Sequence, residues 1–475
     1  MSNSQEEKRN EPFRIAIIGG GIGGLFCALA IHHHHHHHHQ STTPPSQDGN
    51  IDGVNKSKRA IQIDVYEQAP EYREIGAGVG VGINAARLLH RLGLGPGLVM
   101  VAGRRQGTWF TFRRFEDSGE VVSIPDADAE PGDVRQSPCA RSDLLELFLA
   151  AGAAGLHTEK ACAGVTALDD DVDGAKGKVE VRFRDGTSTI ADLVVGCDGV
   201  HSVVRDQFVT DANNKSVESG MIAYRGIVPT SALAQDWPFA HWSNIWVAKH
   251  RHFLSYPIAD NTQLNVVAFV TKRLGGGRAI NDAAEIESNK YKNIRESWSS
   301  LCDREEVVAD FAGFDAPVQR VIGLMDERPG RWKINDHEPL GRWHFAGGRV
   351  VLVGDAAHAM LPHMGAGAGQ SIEDGWILGR VVAEYLEGGS SSSSNERFKS
   401  LESTMQFYQD IRLPRAQKVQ AASRVGGNLY ELQTEEMSRL SYEDCLPVLA
   451  ESMRQRMKFV WSEDVDDSYN RMREE

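Results

Sequence analysis

The sequence predicts an α/β protein with a strand-rich middle and a helical C-terminal segment. Three observations predict it. Ile15-Ala16-Ile17-Ile18, then a run of glycines, then small apolar residues read as buried strand, tight turn and helix. Met221 to Val270 is strand-like and carries the aromatics Tyr224, Trp242, Trp246, Phe253, Tyr256 and Phe269. A late buried strand, Val350 to Val353, ends in Gly354-Asp355, and the chain past Leu386 is mostly helical and charged.

Within the first run, Gly19, Gly21 and Gly24 fit G-x-G-x-x-G between a strand and a helix. Gly19 suits the tight turn, Gly21 lets a pyrophosphate approach the backbone, and Gly24 lets the helix sit close on the strand. The helix start offers free N–H groups and a positive dipole end, so the pattern is that of a dinucleotide site. Ile15 to Ile31 holds no charge, but it is shorter and richer in glycine than a membrane span of ~20 apolar residues.

His32 to His39 is an unbroken octahistidine run, followed by polar loop residues. We expect an insertion in a surface loop over residues 32–58, with a metal site as the other reading; such a run would bind nickel adventitiously. Structure resumes at Ile61 to Tyr66, an alternating strand closed by Glu67. That is where a dinucleotide fold places the carboxylate for the adenosine ribose; the insertion explains why the gap from Gly24 exceeds the usual ~20 residues. The alternative for Glu67 is a solvated charge at a strand end. Arg73 to Gly82 is a second glycine-rich segment, and Asn84 to Leu94 reads as a helix with Leu88, Leu89 and Leu92 on one side. Thr108 to Ile124 alternates as strands. Arg141 to Leu149 reads as an amphipathic helix capped by Ser142 or Asp143; Arg141 is placed to reach a phosphate or bound cofactor, or else forms a surface ion pair. Val179 to Ala191 is a hairpin. Leu193 to Arg205 is a buried strand, an Asp198-Gly199 turn and the start of a helix. Asn281 to Asp310 looks helical and polar-faced. After Pro362 a turn leads to Gly365–Gly369, which open a long helix toward Leu386; Gly388 to Asn395 reads as a flexible linker.

The net charge of −14 and pI near 5.7 argue against nucleic acid or an anionic membrane as partner. Six scattered cysteines without C-x-x-C argue against a disulfide framework or a zinc site, and for a reducing compartment. Met1 to Pro12 lacks the apolar core of a secretory signal, and no sorting motif is recognised at the C-terminus. The expectation is a cytoplasmic protein without a metal site.

The order of the three glycine-bearing sites is more specific than any one of them. G-x-G-x-x-G near residue 20, Asp198-Gly199 in mid-chain, then Gly354-Asp355 with Pro362 and a Gly-Ala helix start resemble the single-component FAD-dependent aromatic hydroxylases. The resemblance covers roughly Phe13 to Leu386. It implies a Rossmann-like FAD-binding domain interleaved with a mixed-sheet substrate domain, and a helical C-terminal segment. The implied divisions are 13–90, 136–210 and 336–387 for the FAD-binding parts. They are 91–135 and 211–335 for the substrate domain, 388–396 for a linker and 397–475 for C-terminal helices.

By that likeness the first motif holds the ADP part of FAD, and Glu67 takes its ribose. Gly80 and Arg141 line the FAD channel. Asp198, with Ser202 and Arg205, supports FAD and the nicotinamide donor, and Asp355 meets the ribityl chain. The helix opened by Gly365 to Ala368, with Gly367 and Ala368 in its first turn, points N–H groups at the flavin pyrimidine edge, where reduced flavin is anionic. Within the family the likeness is to salicylate hydroxylases and related fungal phenol monooxygenases, carried by Gly354 to His358, Pro362-His363, and Gly365 to Gly369 followed by Glu373-Asp374. Three departures stand out: the octahistidine run, Cys197 where alanine is common, and Met364 where glutamine is common.

The activity so implied takes NADH or NADPH as co-substrate and O2 as oxygen source. It hydroxylates a phenolic small molecule, salicylate-like, with decarboxylation to a catechol as one outcome. A phenol reacts best when ionised, so a cation or donor near its oxygen is required. Arg225 and Tyr256 match positions that serve this role in some fungal relatives; the alternatives are a structural salt bridge and a packed sheet aromatic. His363 lies beside the flavin-facing turn, as a proton relay or a buried hydrogen-bonded histidine, and His201 and His358 read as structural. Other readings are a polyketide-type phenol that is hydroxylated or dearomatised, a flavin-binding protein without turnover, and a flavin-free NAD(P) dehydrogenase. The expected partner is a small phenolic molecule, with no nucleic acid and no membrane, and the chain is expected to be a monomer or homodimer.

Overall fold

Phe13–Ile18 sits inside a six-stranded sheet ordered His344–Phe345, Val350–Leu352, Leu193–Gly196, Phe13–Ile18, Ile61–Tyr66, Gly155–His157. All pairings in it are parallel except that of the edge strand His344–Phe345. A parallel sheet is covered on both faces, which is why its strands are nearly continuous apolar runs. The computed structural model describes residues 11–37, 59–72, 78–104, 107–168, 177–210, 214–271, 300–388 and 396–475.

The helix Ile22–His37 follows the glycine turn and packs between the sheet and the helix Gly367–Gly388. Small residues permit the contact: a Cβ on Gly375 would lie 3.0 Å from Cys27 Cα, and one on Gly379 would lie 2.7 Å from the Ala30 carbonyl carbon. The expected loop at the histidine run is corrected here. His32 to His37 continue the helix, His35 is buried with Nε2 3.0 Å from the Arg59 carbonyl, and His34 meets Trp376 edge-on. Packing against Trp376 and the neighbouring helix outweighs the modest helix propensity of histidine. His38, His39 and the rest of that segment lie outside the described residues, as do most of Asn281 to Asp310 and the serine run before Asn395.

A second sheet has seven strands, ordered Gly330–His337, Ser216–Pro229, Gln263–Thr271, Arg251–Ile258, Asn244–Ala248, Thr108–Arg114, Glu120–Pro125. It is mixed: Asn244–Ala248 and Thr108–Arg114 run parallel, and the other pairs are antiparallel. Alternation assigns its faces. Tyr224, Phe253 and Val266 pack on one side with Phe311 and with Val307 and Ile322 of the helices Arg304–Asp310 and Ala316–Leu324. Arg225, Leu254, Asn265 and Val267 face the other way, into a cavity.

The C-terminal helix Leu401–Tyr430 begins with a reciprocal Ser400–Ser403 capping box and lies along Gly367–Gly388. The helix Arg141–Ala151 corrects the expected cap. Ala140 holds the N-cap position with no side-chain bond, and Ser142 donates to Asp143 instead.

Candidate active site

A cavity of about 400 Å3 opens where the carboxyl ends of Phe13–Ile18, Leu193–Gly196 and Val350–Leu352 meet the inner face of the seven-stranded sheet. The carboxyl edge of a parallel sheet is where ligands of such folds bind. Gly21, Gly80, Arg141, Arg225, Tyr256, Asp355, Gly367 and Ala368 all line this one cavity. Turns from both ends of the chain therefore share a cleft.

Gly19, Gly24, Glu67 and Asp198 do not line it. Gly19 makes the turn at φ +106°, and a Cβ on Gly24 would lie 1.9 Å from the Gly19 carbonyl oxygen. Glu67 closes its strand, with one carboxylate oxygen accepting from Gly20 N and the other from Ala69 N, both at 2.8 Å. It thus pins the glycine turn and keeps lone pairs for a further donor. Asp198 accepts from Ser202 Oγ and, at 3.1 Å, from Val204 N, at the start of the short helix Val203–Phe208. Arg205 braces the same loop through the Val200 carbonyl at 2.8 Å and Asn214 at 2.9 Å. This pair shapes the loop, and its neighbours Gly199, Val200 and His201 present backbone to the cavity.

The residues fit FAD on three observations. A Cβ on Gly21 would meet nothing nearer than Arg141 Nη2 at 3.7 Å, so the turn is open toward a cation, as a pyrophosphate requires. Gly365 lies in the left-handed region at φ +57° and delivers the chain into Gly367–Gly388, whose first residues line the cavity and whose first turn holds no acid. Unpaired N–H groups and the positive end of a helix dipole there suit an anionic ring edge. Gln136 is buried on the wall, and its Nε2 has no partner among the described residues.

Beneath the Gly354 turn lies a buried ionic network of which the sequence reading had found only the acids. Arg412 donates Nε to Asp374 at 2.8 Å and Nη1 to Glu373 at 2.6 Å; Arg415 forks onto both oxygens of Glu373 at 2.7 and 2.8 Å. Asp374 also accepts from Gly354 N at 2.9 Å and from His358 Nε2 at 2.6 Å. Burial alone would raise the Asp374 carboxyl, but His358 and Arg412 hold it down at about 2. Asn84, on the cavity wall, donates to Glu373 at 2.5 Å. No sequence signal separates Arg412 and Arg415 from the solvated arginines around them.

His363, buried at the cavity edge, has Nε2 3.2 Å from Met221 Sδ, and its ring contacts Phe269, His252 and Tyr430. Burial, with smaller contributions from His252 and Arg456, holds it well below the ordinary histidine value, so it is neutral. Behind it His252 Nδ1 lies 3.2 Å from Glu431 Oε1 in a fully buried pair. Burial pushes Glu431 up to about 7, against the opposing bond from Thr271, and pushes His252 down to about 3. A carboxyl raised from 4.5 on folding contributes stability that is complete below about 4.5 and is lost as pH rises through about 7. Glu431→Gln removes that titration. Its stability relative to wild type is expected to rise across this window in denaturant melts; parallel pH profiles would sink the assignment.

The family described as FAD binding domain matches residues 139–315 and 327–423. The chain is 30% identical to a salicylate hydroxylase of Pseudomonas putida, over 95% of this chain and 93% of the relative. It is 32% identical to a 6-methylsalicylate 1-monooxygenase of Aspergillus terreus, over 86% and 81%. A solved salicylate hydroxylase substrate complex superposes with a TM-score of 0.71 at 26% identity, covering 97% of each chain. Among the described residues no helix is long and apolar enough to cross a membrane. The glycine cradle, the helix start over the cavity and these matches agree, and the chain belongs to the FAD-dependent aromatic hydroxylases of the salicylate hydroxylase type.

Proposed function

We propose that the protein hydroxylates a small phenol bearing an acidic group, of the salicylate class, using NADH or NADPH and O2, with decarboxylation to a catechol when the carboxylate sits at the carbon attacked. The observation that supports this most directly is Arg225. It is buried on the floor of an otherwise largely apolar cavity, with its guanidinium 5.2 Å from the centre of the Trp332 ring. A cation beside a flat apolar wall matches a flat aromatic anion.

Bound FAD would carry electrons from the nicotinamide to O2 and supply an electrophilic oxygen atom. Arg225 holds the carboxylate or phenolate and stabilises the ionised ring. Tyr256 offers its O–H to the phenol oxygen. Phe110, Ile245, Leu254, Val267 and Met364 keep water from the reacting carbon. The first-turn N–H groups of Gly367–Gly388 would be offered to the anionic ring edge of bound FAD.

Arg225→Met is expected to raise KM for salicylate about 10- to 100-fold, the effect of losing one charge-assisted bond, with FAD content unchanged. Tyr256→Phe is expected to lower kcat about tenfold. Product mass separates the two phenol classes: loss of CO2 supports salicylate, and gain of one oxygen alone supports a polyketide-type phenol. NAD(P)H oxidation that yields no oxygenated product with any phenol would end this reading.

A further inference from the structure

Asn265 was not singled out by its sequence context, and its side chain is only half satisfied. It is fully buried and lines the cavity. Gly78 N donates to its Oδ1 at 2.7 Å. An N–H donor there fixes the orientation of the amide, since only the oxygen can accept. The Nδ2 group is left without a partner among the described residues. A buried donor left unpaired costs stability, so a site that keeps one has a use for it.

The register shows what the donor faces. Tyr256, Asn265 and Ile227 are mutual partners across three adjacent strands, and Leu254, Val267 and Arg225 form the next row on the same face. Asn265 and Tyr256 are thus side by side, with Arg225 on the diagonal, at roughly 7–8 Å between backbones. The strand carrying Gly78 closes over them: a Cβ on Gly78 would lie 2.5 Å from Tyr256 Oη and 2.6 Å from Asn265 Cγ.

We propose that Asn265 is a substrate-positioning residue whose Nδ2 donates to an oxygen of the aromatic substrate beside Tyr256, while Arg225 takes the acidic group. The inference rests on the phenol hydroxylase reading and sharpens its substrate class to aromatics with two oxygen acceptors, one anionic and one phenolic or carbonyl. An analogue lacking the second oxygen leaves the buried donor unpaired and is discriminated against.

The test compares salicylate with benzoate, both anions, by perturbation of flavin absorbance in holoenzyme, for wild type and Asn265→Leu. Leucine is close to asparagine in size and can neither donate nor carry charge. Wild type is expected to bind salicylate about tenfold or more tighter than benzoate. Asn265→Leu is expected to keep its FAD and to lose that preference; the lost bond from Gly78 N weakens both ligands alike, so the ratio isolates the donor. Equal wild-type affinities, a preserved ratio in the variant, or loss of FAD from a variant that melts like wild type would each overturn the assignment. If Asn265→Leu does not fold, the wild-type ratio alone decides. Wild-type turnover is read separately: no hydroxylated phenol at all defeats the parent reading, whereas turnover with an unchanged ratio defeats only the role of Asn265.

Discussion

Replacing Arg412 with alanine is expected to destabilise the protein by about 3–5 kcal/mol, because it breaks a buried ionic network by removing one partner. Arg412 is fully buried, bonds Asp374 and Glu373, and reaches Gln370 Oε1 at 2.9 Å through Nη2. Alanine leaves two buried carboxylates with Arg415 as the remaining guanidinium and His358 as a hydrogen-bond partner of Asp374. The pH dependence follows. Asp374 is held below its ordinary value, so its contribution is present above about 3.8 and is lost only as pH falls through about 2. Without Arg412 that carboxyl rises, and the acid limb of stability moves to higher pH. Because Asp374 accepts from Gly354 N, the variant should also retain less FAD. Urea melts at neutral and mildly acidic pH check the stability and its acid limb, and flavin absorbance per mole of protein checks the retention; a loss below about 1 kcal/mol would overturn the expected destabilisation.

Gly24→Ala is expected to yield protein that is both less stable and largely free of flavin. The new Cβ would stand 1.9 Å from the Gly19 carbonyl oxygen and 3.1 Å from its carbon, backbone atoms that cannot rotate away. The helix Ile22–His37 has no room to retreat, since Gly375 and Gly379 already hold Gly367–Gly388 against its far side. Overpacking of about 1–3 kcal/mol at the cofactor turn translates into a roughly 5- to 150-fold loss of FAD affinity. Gly21→Ala is the contrast. Its Cβ meets only Arg141 Nη2, at 3.7 Å, so the fold should persist while the cradle is obstructed. Flavin absorbance per mole of protein, beside thermal melts, separates the two; a fully flavinated Gly24→Ala would refute the packing role.

How much of the site was legible depended on how local its physics is. The first strand, its glycine turn, the Val350 strand and the Gly-Ala helix start carry their reasons in adjacent residues. Glu67 was placed correctly at a strand end, but its bond to Gly20 N depends on chain far removed in sequence. The histidine run misled because polar repetition looks like loop, while Trp376 on another helix supplies the packing that continues the first one. Asp198 lies off the cavity wall and accepts from Ser202 and Val204 within its own turn, which residue order alone does not show.

The sequence by itself determined the α/β class, the glycine turns and the family, because backbone freedom at glycine and the two-residue period of strands act over a few positions. Tertiary structure alone decided that Arg412 neutralises acids 38 and 39 residues before it and that Arg225, Tyr256 and Asn265 share one floor. Charge pairing and strand register are set by which segments meet once water is excluded, and no local pattern encodes that meeting.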